Sequence, residues 1–466
     1  MGKMVQSGPS TNGNGVRMRR VVITGVGAIS PHGLSAAELW KGLREGRSST
    51  TVLTRFESSA FPSRVAGEVA PFKITDYVPK SYRKATKIMS RDIELAVVAA
   101  DGAVRDAKLA TRGIVESSGG KKPDESWLTV DPRRVGCNIG AGLISADLNE
   151  LSAAMAAAKE PDGTLSLRRW GRSDHPTELA GMDRLTPLWL LKYLPNMLAC
   201  HVSIIHDTQG PSNTITCQQA SAGLALAEAC RTIQRGEADL ALVGGCESLI
   251  HPMGLMRWTL LNRLNIGAND QPAKACRPLD QAAAGTVIAE GGAVLVMEEL
   301  AQARARGARI YCEIAGRGES SSASGVSRPD VTGEALAVAM SKALREAAIG
   351  PEAVDLVVPP GYGIPEFDQA EVRAIHRVFG SQPRPAIVPM RGGIGDCGAG
   401  AQAIDLVAAA IAVAEQIIPP AVNCPQPLDG LDAPCEARAG TALRHALVAA
   451  SSMSGQNSVI ILRQIG

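Results

Sequence analysis

Short β-branched runs ended by glycines alternate along this chain with longer amphipathic or alanine-rich stretches, as buried strands alternate with the helices that cover them. Val21-Val22-Ile23-Thr24-Gly25-Val26-Gly27 predicts the first strand. Ser35-Ala36-Ala37-Glu38 has the form of a capping box opening a helix to about Arg44, and residues 91–109 predict an alanine-rich helix with acidic residues in its first turn. Apolar runs ending in glycine recur at 135–140 and 240–245. After a linker around 265–275 the cycle repeats: strands at 293–297 and 310–314, a helix at 333–348 and a strand at 355–358. Residues 386–388 then lead through the glycine-rich 391–400 into an apolar helix to about Gln416, and 459–462 predicts a last strand. The order implies an α/β protein of two related halves, 19–270 and 271–466, behind a loose tail at 1–18. Segments 113–134 and 160–187, rich in Gly, Pro or charge, are expected at the surface.

Composition narrows the class. The chain has 466 residues, 45% hydrophobic and 20% charged, which fits a globular protein and excludes a disordered or fibrous one. Aromatics are only 3%, so Ala, Val, Leu and Ile must fill the interior, and 48 glycines imply close backbone approaches. A net charge of +2 gives no global reason to expect nucleic acid or an anionic membrane as partner. The ten cysteines are scattered without a C-x-x-C pair or metal-ligand spacing, so reduced buried thiols and no metal are expected. The tail lacks the apolar stretch of a signal peptide, and 403–422 carries Asp405, Glu415, Gln416 and Pro419-Pro420, which argues against a membrane span. A soluble, cytoplasmic protein is expected.

The chemistry centres on Gly210-Pro211-Ser212-Asn213-Thr214-Ile215-Thr216-Cys217-Gln218-Gln219-Ala220-Ser221-Ala222-Gly223, followed by a small-residue helix, Gly236-Glu237-Ala238-Asp239 and Val243-Gly244-Gly245-Cys246-Glu247. This resembles the nucleophile region of β-ketoacyl-acyl carrier protein synthases. Arg19 to Pro31 is similar to the family's opening strand, Cys276-Arg277-Pro278-Leu279-Asp280 to its R-P-x-D turn, and Glu290-Gly291-Gly292-Ala293 to its acidic-glycine loop. The resemblance implies a thiolase-type fold with a layered αβαβα core, an obligate dimer, no bound cofactor, and substrates delivered as phosphopantetheine thioesters on acyl carrier protein.

Family enzymes place a cysteine where a strand turns into a buried helix, whose N-terminus stabilises a thiolate. The family position lies seven residues after Ser212 and seventeen before Gly236, and both counts reach Gln219. A carboxamide is no nucleophile. Cys217, two residues upstream, falls on the strand side of the turn and reads as a structural thiol. The first catalytic histidine of the family corresponds to Pro360, with register fixed by Asp368-Gln369-Ala370-Glu371; the second corresponds to Asp396, and the family lysine to Arg391. The seven histidines, at 32, 175, 201, 206, 251, 376 and 445, fall at none of these positions, though His206 lies close in sequence to the nucleophile turn. Met453 stands where the family has a gating Phe.

A synthase-like chain with Gln at the nucleophile resembles the chain length factor, the β subunit of type II polyketide synthases. The resemblance implies pairing with an intact ketosynthase α subunit and a share in shaping its acyl tunnel, with Leu148, Asn149, Ser152 and Met155 as wall candidates at helical spacing beside Met453. The alternatives are a malonyl-carrier-protein decarboxylase using Gln219, and a carrier-binding structural homodimer. Carrier proteins are acidic, so Lys80, Arg83, Lys84, Lys87 and Arg91 form a candidate docking run, and Arg168, Arg169 and Arg172 a second basic cluster.

Overall fold

The computed structural model describes residues 19–119, 128–173, 177, 179–382 and 385–465. The tail, His175 and parts of both expected surface segments lie outside them. Ten strands form the main sheet path: β1 (Val21–Ile29), β2 (Val135–Ala141), β3 (Ser212–Ile215), β4 (Leu240–Ser248), β5 (Ile288–Glu299), β6 (Cys312–Ser321), β7 (Leu356–Val358), β8 (Ala386–Ile387), β9 (His445–Ser451) and β10 (Gln456–Arg463). Their spatial order is β8-β7-β9-β10-β6-β1-β5-β4-β2-β3.

That order contains the same motif twice. From each outer edge inward the strands run third, second, fourth, fifth, first, with β1–β5 in one half and β6–β10 in the other. The directions match as well: β2 is parallel to β3 and β4, as β7 is to β8 and β9, and the remaining neighbours are antiparallel. By strand order the first set closes at Glu299, so the linker at 265–275, expected to divide the halves, precedes the last strand of the first set.

β1 and β6 share only two paired positions, Val22 with Glu313 and Ile23 with Cys312, so the halves are joined by a narrow seam. The helices Ser221–Gln234 and Ala401–Glu415 pack against strands of both halves and form the middle layer. Helices Arg91–Asp106 and Met197–His206 cover the outer face of one half; Glu334–Ala347 and Pro365–Phe379 cover the other. Three apolar clusters follow from this layering, one in the middle and one under each outer helix pair. Ala401–Glu415 is apolar on nearly all sides because both of its faces are inside the protein, the circumstance that makes a soluble core helix look like a span.

Glycine sets the spacing of the outer layers. A Cβ on Gly27 would lie 2.1 Å from the Ala99 carbonyl oxygen, and one on Gly318 would lie 1.9 Å from that of Ala339. Each helix thus rests directly on strand backbone, at corresponding places in the two halves. The capping box is present: Ser35 Oγ accepts from Glu38 N, and Glu38 accepts from Leu34 N. Within the expected surface segments, Arg112–Ser117 and Leu167–Gly171 are short helices.

Candidate functional site

The turns that open the two middle-layer helices meet. Gln219 lies in the tight turn Gln218–Ala220 between β3 and Ser221–Gln234, where Gln218 takes a left-handed φ of 49°. Asp396 lies in the loop between β8 and Ala401–Glu415, and its backbone is tied to β5 by hydrogen bonds to Val287 and from Ala289. Gln219 Nε2 donates to Asp396 Oδ2 at 2.8 Å, both residues being buried. Asp396 Oδ1 accepts from Gly398 N at 3.1 Å and stands 3.8 Å from an Arg391 guanidinium nitrogen.

Arg391 is only 3% exposed. Burial would lower its proton affinity, but the charge of Asp396, with Tyr362, Asp405 and Glu371 behind it, raises it, so the guanidinium stays charged. It lies over the Tyr362 ring, 4.7 Å from the centroid. Tyr362 is fully buried, two residues past Pro360, and its hydroxyl donates to the Ser451 carbonyl. The loop carrying both is held by two acids of the following helix: Asp368 Oδ1 accepts from Tyr362 N and Gly363 N, and Glu371 Oε2 accepts from Gly361 N at 2.7 Å. Burial pushes the Asp368 carboxyl up to about 7 and raises Glu371 well above the carboxylate range.

Sequence position and tertiary position therefore coincide for Gln219, Arg391 and Asp396, and Pro360 leads into the Tyr362 loop that packs on Arg391. Tyr362 has no role in the sequence reading above; a tyrosine among glycines and prolines, in a chain with five tyrosines, is the signal that points to it. Met453 joins the same apolar cluster as Tyr362, Phe367 and Trp258.

Nothing in this arrangement makes a nucleophile. The Cys217 thiol is pushed up by burial, the opposite of activation, and its backbone N–H donates to Ser221 Oγ. Gly223 N, near the helix start, is taken by Gln402 Oε1 at 3.0 Å. His206 is buried and turned elsewhere, its Nδ1 2.9 Å from Thr111 Oγ1, and burial with the Arg105 charge lowers it to about 4.

Family models decide the ancestry: that of the β-ketoacyl synthase N-terminal domain matches residues 18–303, and that of the C-terminal domain matches 311–425. The chain belongs to the β-ketoacyl synthase family. It is 33% identical over 448 residues to the actinorhodin polyketide putative β-ketoacyl synthase 2 of Streptomyces coelicolor, covering 95% of this chain and 98% of that one. A 3-oxoacyl-[acyl-carrier-protein] synthase 2 of Coxiella burnetii is 31% identical over 427 residues, covering 90% and 92%. Among solved structures, the chain matches a type II polyketide synthase acyl-carrier protein complex with its ketosynthase bound to the hexaketide (TM-score 0.79, 26% identity, 97% and 100% covered). It also matches the ishigamide ketosynthase/chain length factor (TM-score 0.78, 26% identity, 96% and 100% covered). The thiolase-type layered architecture is thus that of the synthase family.

On this synthase fold the expected tunnel stripe faces outward. Leu148 and Met155 are 37% and 39% exposed and Asn149 and Ser152 are exposed too, whereas the buried residue of helix Leu148–Ala157 is Ala154. Of the expected docking run, Lys80, Arg83, Lys84 and Lys87 are exposed on the turn Lys80–Ile88 and carry no ion pair among the described residues. Arg91 does not belong with them. Its guanidinium turns inward to Glu290, with two contacts of 2.9 Å, and lies over Phe72, because the first turn of its helix packs on the start of β5. Arg169 pairs with Glu160 at 3.5 Å, which leaves the second basic cluster partly neutralised.

Proposed function

We propose that this chain is a non-condensing, chain-length-factor-like subunit that pairs with an intact ketosynthase in type II polyketide or fatty-acid-like biosynthesis and shapes its acyl tunnel. The observation that carries the reading is the hydrogen bond from Gln219 to Asp396. Two positions where the family has a nucleophile and a histidine hold each other, and the resulting pair is buried beside Arg391 and Tyr362. Condensation needs a thiolate and neutral hydrogen-bond donors for the enolate oxygen. Neither Pro360 nor the Asp396 carboxylate supplies such a donor. The same deficit counts against a decarboxylase, since the Gln219 amide is engaged by Asp396.

The related solved structures are of a ketosynthase with its carrier protein and of a ketosynthase/chain length factor, which supports the two partners proposed here. The free edge of β3 and the outward stripe Leu148, Asn149, Ser152 and Met155 would meet the partner ketosynthase. Lys80, Arg83, Lys84 and Lys87 would attract the acidic carrier protein. The test is reconstitution with an encoded ketosynthase and carrier protein. Product is expected only when both subunits are present; equal product without this chain, or a stable homodimer that ignores the ketosynthase, refutes the assignment.

A further inference from the structure

The second half encloses a cavity of about 40 Å³ between the end of β6, the start of helix Glu334–Ala347, helix Pro365–Phe379 and the turn from β9 to β10. Gln219, Arg391 and Asp396 do not line it. That volume holds about three water-sized atoms. Phe367 and Leu336 give it an apolar wall, and Glu371, Arg328 and Asp330 are its charged residues.

Most of its polar side chains are spent on their neighbours. Asp330 Oδ1 accepts from Thr332 N and Oγ1, and Asp330 Oδ2 accepts from Ala335 N. Ser451 Oγ donates to Asn457 Oδ1, Asn457 Nδ2 donates to Ser320 Oγ and to the Gly455 carbonyl, and Ser452 Oγ donates to Gln456 Oε1. Glu371 and Arg328 are left with hydrogens to give. Glu371 is only 3% exposed; its Oε2 accepts from Gly361 N at 2.7 Å, and its Oε1 is buried without a partner. Burial and the neighbouring Asp368 charge raise this carboxyl well above its ordinary range, so it is a neutral acid. Since Oε2 takes the Gly361 hydrogen, the acid proton belongs on Oε1. Arg328 is exposed at the cavity and forms no ion pair among the described residues.

An acid O–H and a guanidinium facing one space with an apolar wall suit a carboxylate on a short alkyl group. One carboxylate oxygen accepts the Glu371 proton in a charge-assisted bond, and the charge is met by the planar fork of Arg328. A cation would find no free acceptor, and an uncharged alkyl group would strand the buried donor. We propose that this cavity binds a short alkyl monocarboxylate of acetate or propionate size, its carboxylate held between Glu371 and Arg328 and its alkyl group against Phe367 and Leu336. The site does not depend on pairing with a ketosynthase.

Saturation-transfer NMR of propionate with the full chain, in whatever assembly it purifies, tests this. Binding in the millimolar range is expected for a ligand of about five non-hydrogen atoms. Propionamide, of the same size but uncharged, should bind at least about fivefold more weakly, and an equal concentration of chloride should not displace propionate. Arg328→Ala, at an exposed position, should fold normally and weaken propionate about fivefold. Glu371→Met should abolish binding, whereas Glu371→Gln, which keeps both a donor and an acceptor for Gly361 N, should retain it. No propionate signal, equal binding of propionamide, displacement by chloride, full affinity in Arg328→Ala, or loss of binding in a folded Glu371→Gln overturns the proposal; the Arg328 and Gln variants decide it even where Glu371→Met does not fold.

Discussion

Gln219 and Asp396 lie 177 residues apart, and their side chains are joined by a 2.8 Å hydrogen bond. Each precedes one of the two buried helices of the middle layer, so the bond links the corresponding turns of the two halves. The turns that open both helices are thereby part of the packing between halves.

Restoring the thiol alone will not restore the reaction. Gln219→Cys gains a nucleophile at a helix start, but Pro360 and Asp396 still give the enolate oxygen no donor. Loss of one such donor costs about 3 kcal/mol, a hundredfold or more in rate. Labelled carbon dioxide release from malonyl-carrier protein should remain at background, and turnover at a useful rate would show that the remaining residues suffice.

Removing the carboxylate should hurt more than neutralising it. Asp396→Ala leaves the buried Arg391 charge without its nearest counter-ion, a change that costs about 3–5 kcal/mol in comparable buried pairs. Asp396→Asn keeps an oxygen acceptor for Gln219 and should cost less. Urea unfolding of the two variants ranks them; an equal loss would place the effect in the charge, which both variants remove, rather than in the hydrogen bond.

Glu247 gives the stability a pH dependence of known sign. Burial, reinforced by the Asp92 charge, pushes its carboxyl up to about 8 from the ordinary 4.5. Between those values the folded protein holds a proton that the unfolded chain has released, so this group's contribution declines as pH rises through that window. Glu247→Gln keeps an acceptor for the 2.7 Å hydrogen bond from Ala399 N and removes the titration. Its unfolding free energy should fall less steeply than wild type from pH 5 to 8; parallel curves would remove Glu247 from the account.

Ser152→Trp and Met155→Trp should shorten the product without unfolding the chain. Both residues are exposed here, so the substitutions should change the stability of the subunit by no more than about 0.5 kcal/mol. In the complex the added volume has nowhere to go in a close-packed wall. Mass spectrometry of the products decides, and an unchanged length from a folded complex takes these residues out of the wall.

Lys84→Glu with Lys87→Glu should weaken carrier-protein binding and make what remains less sensitive to salt, since both ammonium groups are exposed and form no ion pair among the described residues. Arg91→Ala should act on stability instead, through the buried Glu290 carboxylate. Titration by calorimetry at two ionic strengths separates the two effects.

Much of this was determined by the sequence, because the informative patterns are local. Short apolar runs, three of them ended by glycine, marked most strands though not Ser212–Ile215 or His445–Ser451; Ser35 with Glu38 marked a helix start, and spacing from Ser212 and Gly236 identified Gln219. The spacing of Leu148, Asn149, Ser152 and Met155 was also legible, but not which way they face: all four are exposed, and Ala154 is the buried residue of that helix.

Tertiary structure decided what depends on groups far apart in sequence. A run of positive charge cannot reveal that Arg91 turns toward Glu290, 199 residues away, while its neighbours stay in solvent. Nor can periodicity show that β5 closes the first half, because membership is set by hydrogen bonds to β1 and β4. Gln219 and Asp396 could each be read as a lost catalytic residue. Only the meeting of the two helix starts in a low-dielectric interior, where an unpaired polar group is costly, makes them partners.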